Sequence, residues 1–200
     1  MSDPIPGDEA TPWEPPLAGT EAEQVLGAID RLRWTFRYKA DGLDGTGLGQ
    51  QVGESTLTLG RLLKHLAVQE DYLSHVKLAG EPMPSVWDDN GWDDDPDWEL
   101  TSADGEDPAT LYRLWDDAVA RSRARVAAAL AVDGLDQEVQ VSAHGQHASL
   151  RRLLLDLVEE YGRHAGHTDL IREAVDGRVG EDPPPGWRPV GVAGGDSPRR

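Results

Sequence analysis

The sequence contains no cysteine. That absence removes disulfides, zinc ribbons, iron–sulfur clusters and a protein thiol nucleophile together, so any thiol chemistry here has to use a small-molecule thiol. Basic residues are scarce: 19 Lys and Arg stand against 37 Asp and Glu, for a net charge of -18. A field of that sign repels phosphate backbones and anionic lipid headgroups, which argues against nucleic-acid and membrane partners. Long apolar runs are missing as well. No stretch approaches ~18 consecutive apolar residues, and the N-terminus MSDPIPGDEATPWEPP is acidic and proline-rich without an apolar h-region, so the expected compartment is the cytoplasm. What remains, 38% hydrophobic residues in a chain of 200, fits one domain with one sizeable core and flanking tails.

Four amphipathic helices are readable. TEAE at Thr20–Glu23 matches a capping box, and Val25, Ile29, Leu32 and Phe36 follow as one stripe that ends before the glycines of DGLDGTGLG. The second helix has Thr58 as its N-cap, Leu59, Leu62, Leu66, Leu73 and Val76 on its apolar side, and Gly80 as its stop. The third opens on Asp107-Pro108 and carries Leu111, Leu114, Trp115, Ala118, Val126 and Leu130. The fourth is capped by Ser149, runs through Leu150, Leu153, Leu154, Leu157 and Tyr161, and ends at Asp176-Gly177. Short alternation in QEVQVSA allows a small hairpin at most. The expected fold is therefore all-α, a four-helix bundle over residues 20–180. A long loop joins helices two and three; irregular segments flank the bundle, an arm at 1–19 with Trp13 as a docking residue and a Pro/Gly-rich tail at 181–200 ending in Arg199-Arg200.

The histidines carry the chemistry. At about 100° per residue, His164 lies within about 20° of Leu153, Leu157 and Ile171 and so points inward; His167 sits about 60° to one side, with Glu160 between the two in projection. His65, in LLKHLAVQE, falls on the inward side of the second helix. A single inward histidine is ordinarily a core residue with one satisfied hydrogen bond. Three together are costly to bury unless something compensates, and a divalent metal does so because neutral imidazole is a favoured ligand. Three imidazoles leave a coordination position open, as catalytic sites do. His75 projects about 80° from His65 and reads as a solvated helix residue, while His144 and His147 fall in a polar connector. No HExxH is present, so the zinc-protease arrangement is absent.

With His65 in TLGRLLKHLAVQEDYL, the loop GWDDDPDWEL and the run SLRRLLLDLVEEYGRHAGHTDLIREAVDGRVGE, the chain resembles the DinB-like metalloprotein superfamily. Within it, the likeness is to the actinobacterial branch of uncharacterised and mycothiol-dependent S-transferase proteins. The resemblance implies a four-helix bundle, usually dimeric, with a metal site carried onto His65, His164 and His167. It also implies that a zinc-type metal activates the thiol of mycothiol or a similar cofactor. Many superfamily members space the last two histidines by four residues; His164 and His167 are three apart, leaving Glu160 or water to complete the coordination.

The expected function is a metal-dependent transferase in which zinc, or nickel or iron, binds a low-molecular-weight thiol and the thiolate attacks a small electrophile. Glu160 is the candidate catalytic carboxylate, orienting an imidazole or moving protons, against the alternative of a solvated glutamate. Trp87, Trp92 and Trp98 either floor the electrophile site or pin their acidic loop to the domain. The same three histidines would also serve a metal-dependent hydrolase, a metal-binding stress or sensor protein, or a structural bundle that holds no metal. The aspartates of WDDNGWDDDPD do not fit the EF-hand spacing and read as a solvated loop.

Overall fold

The computed structural model describes residues 14–184 and 186–191. The expected docking of Trp13 and the expected tail at Arg199-Arg200 lie outside these residues. Among the described residues the chain is mainly helical, with four long helices, two single-turn helices and one hairpin.

Local signals start and stop the long helices where the sequence places them. Helix α1 (Glu21–Ala40) begins at Thr20, whose hydroxyl accepts the Glu23 amide while the Glu23 carboxylate accepts the Thr20 amide. The single turn α2 (Gly45–Leu48) follows in the glycine-rich stretch and is capped by Asp44. Helix α3 (Leu59–Asp71) is capped by Thr58 and runs on into a π-helical turn, Tyr72–Lys77. A second single turn, α4 (Trp98–Thr101), lies in the long connection after it. Helix α5 (Pro108–Asp133) opens with proline behind its Asp107 cap, and α6 (Leu150–Asp176) runs from its Ser149 cap to a left-handed Gly177.

Between α5 and α6, β1 (Glu138–Ala143) and β2 (Gln146–Ser149) pair antiparallel, the small hairpin anticipated from QEVQVSA. Its two-residue turn needs positive φ at both positions, supplied by His144 at 54° and Gly145 at 77°. That assigns His144 to the turn. His147 is exposed and its Nδ1 contacts the Val139 carbonyl at 2.8 Å, so neither hairpin histidine belongs to the site below.

Helices α1 and α6 pack side by side, as do α3 and α5. Arg151 pairs with Glu21 near the two N-termini, and Arg172 donates to the Lys39 and Asp41 carbonyls at 2.8 and 2.7 Å near the two C-termini, so α1 and α6 are parallel. Arg172 thereby satisfies carbonyls that the end of α1 leaves open. Helix α5 runs antiparallel to α1, with Arg37 against Asp116 and Asp30 against Arg123. Gly60 faces Leu111 at one end of the pair and Asp71 meets Arg121 at the other, so α3 and α5 are parallel, and the connection between them returns along their length, which explains why it is long.

The core is formed by Phe36, Leu62, Leu63, Leu66, Trp115, Leu153, Leu157 and Tyr161. Inside it runs a polar chain: Trp115 Nε1 donates to Tyr161 Oη at 3.1 Å, and Tyr161 Oη donates to Glu70 at 2.8 Å. The guanidinium of Arg33 closes on both Glu70 oxygens at 2.7 Å.

One expectation is overturned here. His75 is buried, 7% exposed, with its Nδ1 3.2 Å from the Asp71 carbonyl. His75 follows Asp71 by four residues and packs over that buried carboxylate, while the π-helical turn that holds it makes a 100° projection from His65 inapplicable. Asp71 is itself held by Trp87 Nε1 at 2.8 Å and by two bonds from Arg121.

Candidate metal centre

Helices α3 and α6 bring together one ligand-type atom each from His65, Glu160 and His164, all within 4.8 Å of one another. The convergence has a local half and a tertiary half. Glu160 and His164 are four residues apart on α6, so helical geometry alone stacks them, and His164 Nε2 meets Glu160 Oε1 at 3.1 Å. His65 arrives from α3, its Nε2 2.8 Å from the same Glu160 oxygen. The two imidazole rings stand 4.9 Å apart between centroids.

Burial differs across the group. The side chains of His164, His65 and Glu160 are 10%, 13% and 25% exposed. His164 thus continues the core stripe as expected, whereas His65 sits at the edge of the buried face of α3 and not in the core proper.

His167 takes a different place. Its Nδ1 lies 3.3 Å from His164 Nδ1, on the side of that ring away from Glu160, and it falls outside the converging group. A nitrogen-to-nitrogen contact needs one donor and one acceptor, which is met when His164 donates its Nδ1–H and neutral His167 accepts. Burial, then the neighbouring His164 and Arg163 charges, lower the His167 pKa, so it is neutral near pH 7 and suited to accepting.

Electrostatics couple the group. Burial by itself would lower the pKa of His65, but hydrogen bonds to Glu160 and Glu99, with their charges, outweigh it and raise the value to about 9. Hydrogen bonds from His164 and then His65 hold the Glu160 carboxyl well below the usual carboxylate range. Glu99 is the participant that sequence reading missed: its Oε1 is 2.7 Å from His65 Nδ1. It belongs to α4, inside a stretch without periodicity, and no spacing signal ties it to His65.

The tryptophans of the acidic connection divide between roles. Trp87 is 2% exposed and pins the start of the connection through Asp71. Trp98 receives the Lys64 ammonium over its ring at 4.6 Å and meets Trp92 edge-on at 4.8 Å, beside Glu99. A Cβ at Gly91 would lie 2.6 Å from Trp98 Cδ1. Gly91→Val is therefore expected to displace Trp98 and cost about 1–3 kcal/mol, read as a lower urea midpoint and a changed tryptophan emission. A separate cleft of about 940 Å³ opens between the end of α1 and the start of α5, lined in part by Asp44, Asp107, Tyr112 and Asp116. None of its lining residues is on α3 or α6, so it is not the His65 site.

The Mycothiol-S-transferase family profile matches residues 24–177, from within the first turn of α1 to just past the end of α6. The chain belongs to that family. Members of the mycothiol-S-transferase family form a DinB-like branch, in keeping with the resemblance carried by the histidine motifs. Comparison with curated proteins and with solved structures returned no match. No helix among the described residues is long and apolar enough to cross a membrane.

Proposed function

We propose that this chain is a metal-dependent S-transferase that activates a low-molecular-weight thiol of the mycothiol type for attack on a small electrophile. The observation that carries the reading is the convergence of His65, Glu160 and His164 in a cysteine-free member of this family. The donor set suits zinc, with nickel and iron accepting the same ligands, and three protein ligands keep a further position for an outside one. His167 stays in the scheme, either as the third imidazole of a three-histidine set or as the partner that orients His164 through Nδ1. A divalent ion held there supplies the Lewis acidity that favours thiolate over thiol near neutral pH.

The chain's own residues do the rest. His65 and His164 present Nε2 inward, and one Glu160 oxygen sits between them. Glu160, held ionised by those hydrogen bonds, orients the two imidazoles, its other oxygen lies 3.9 Å from the exposed Arg163, and the thiol proton passes to solvent. The sulfur lone pair then forms the new S–C bond to the electrophile while the bond from that carbon to its leaving group breaks, the electron pair departing with the leaving group, as halide in the case of an aryl halide. In this reading the four long helices are a DinB-like bundle over residues 20–180, with an arm at 1–19 and a tail at 181–200. The homodimer and cytoplasmic setting implied by the family belong to the same proposal, and light scattering tests the dimer.

The deciding experiment is metal content of tag-free protein purified without chelator, followed by turnover of an aryl halide with and without added thiol. Thiol-dependent loss of halide that chelation abolishes supports the transferase. Thiol-independent cleavage of an ester or amide points to a hydrolase, and bound metal without turnover to a sensor.

Metal uptake is expected to depend on pH. Metal-free His65 keeps its proton up to about pH 9, and a ligating Nε2 has to lose it. Zinc affinity should therefore climb as pH rises toward that value, as a titration calorimetry series would show. Stability of the metal-free protein runs the other way. The folded pKa lies above the ordinary 6.5, so the His65 contribution is complete below pH 6.5 and disappears as pH rises through about 9, visible as a falling melting temperature.

A further inference from the structure

Glu99 has no ligand role in the reading above, yet it makes one of the two hydrogen bonds to His65. Its Oε1 stands 2.7 Å from Nδ1, while Nε2 faces Glu160 at 2.8 Å. An imidazole ligates through one nitrogen, and the hydrogen bond made by the other decides which nitrogen that is and how the ring lies. The Nε2 side of His65 is the side shared with Glu160 and His164, so Nδ1 has to carry the proton, and Glu99 is the acceptor it meets. The carboxylate is 19% exposed, sheltered enough for the bond to persist.

The connection that delivers Glu99 is built to hold it there. Asp95 braces the turn by accepting the Thr101 hydroxyl at 2.6 Å and the Asp97 amide at 2.9 Å. Lys64, the residue before His65, lies over the Trp98 ring at 4.6 Å and reaches the Ser102 carbonyl at 3.4 Å. Residues on both sides of Glu99 are thus tied to α3 within one residue of the histidine.

We propose that Glu99 is a positioning residue of the metal site: it accepts the Nδ1–H of His65, aims Nε2 at the convergence point, and couples the connection between α3 and α5 to metal affinity. The inference rests on the metal-site reading above and assigns the acidic connection a task in it.

The test measures zinc affinity of the full chain by competition with a chromophoric chelator, together with the visible spectrum of cobalt-loaded protein. Parent, Glu99→Ala, Glu99→Gln and His65→Ala are compared. Glu99→Ala is expected to weaken zinc by about 10–100-fold and to shift the cobalt bands, with the parent's helical content at the assay temperature, read by circular dichroism, because Glu99 lies outside the core. Glu99→Gln, whose amide oxygen still accepts from Nδ1–H, should recover most of the loss and the parent spectrum. Zinc should also slow amide exchange at residues 98–101 in the parent and not in Glu99→Ala. That readout does not depend on affinity alone. If Glu99→Ala binds zinc as the parent does while His65→Ala binds none, the role of Glu99 is overturned and the metal site stands. If the parent takes up no zinc, or His65→Ala binds as well as the parent, both fall.

Discussion

Replacing His65 with alanine is expected to empty the site: metal per chain, measured by mass spectrometry, falls to background, and thiol-dependent turnover falls with it. The reason is geometric. His65 is the only member of the converging group contributed by α3, and the remaining pair, Glu160 and His164, lies on one helix four residues apart. Two ligands on one helix hold a divalent ion poorly, because the rest of its coordination shell reverts to water. His164→Ala and Glu160→Ala should empty it as well. His167→Ala separates a metal ligand from a partner of His164. If His167 acts by accepting from His164 Nδ1, its loss costs about 10–100-fold in affinity and leaves the ion in place at high metal concentration. If His167→Ala empties the site while Glu160→Ala stays loaded, the ligand set is three histidines and Glu160 is their neighbour.

The second large effect is on stability. Glu70→Ala is expected to destabilise the fold by about 3–5 kcal/mol, read as a drop in the urea midpoint. Glu70 is fully buried and accepts both arms of Arg33, which is 4% exposed, and also the Tyr161 hydroxyl. Removing the carboxylate leaves the buried guanidinium with Asp30 at 2.9 Å as its one carboxylate partner and two of its N–H groups without their acceptors. Arg33→Met with Glu70→Leu removes both charges at similar volume and should recover most of the loss, with the Tyr161 hydroxyl losing its acceptor and Asp30 keeping Arg123 as its cation. The contrast between single and double replacement separates a stranded charge from lost packing.

Sequence and structure agree most closely where the physics is local. Thr20, Thr58, Asp107 and Ser149 each accept the backbone amide three residues on, as their spacing from the apolar stripes requires. Agreement fails where an element is too short to show a period, as at α2 and α4, or where the period itself changes. His75 illustrates the second case, since a constant 100° step cannot anticipate a π-helical turn. Glu70 and Arg33 are a third kind of omission: charged residues at core positions look like errors in a stripe until their partners, 37 positions apart, are seen together.

By itself the sequence determined the four long helices, their caps, the absence of any protein thiol, and the placing of Glu160 and His164 on one face of α6. Each of these follows from bonded geometry over a few residues, which repeats identically wherever the pattern occurs. Tertiary structure alone decided that His65 meets Glu160 through Nε2, that His167 turns to the far side of His164, and that Glu99 returns from an aperiodic connection to hold Nδ1 of His65. Those contacts depend on how α3 and α6 pack and on where a long loop crosses them, and residue spacing along the chain carries no record of distances between separate elements.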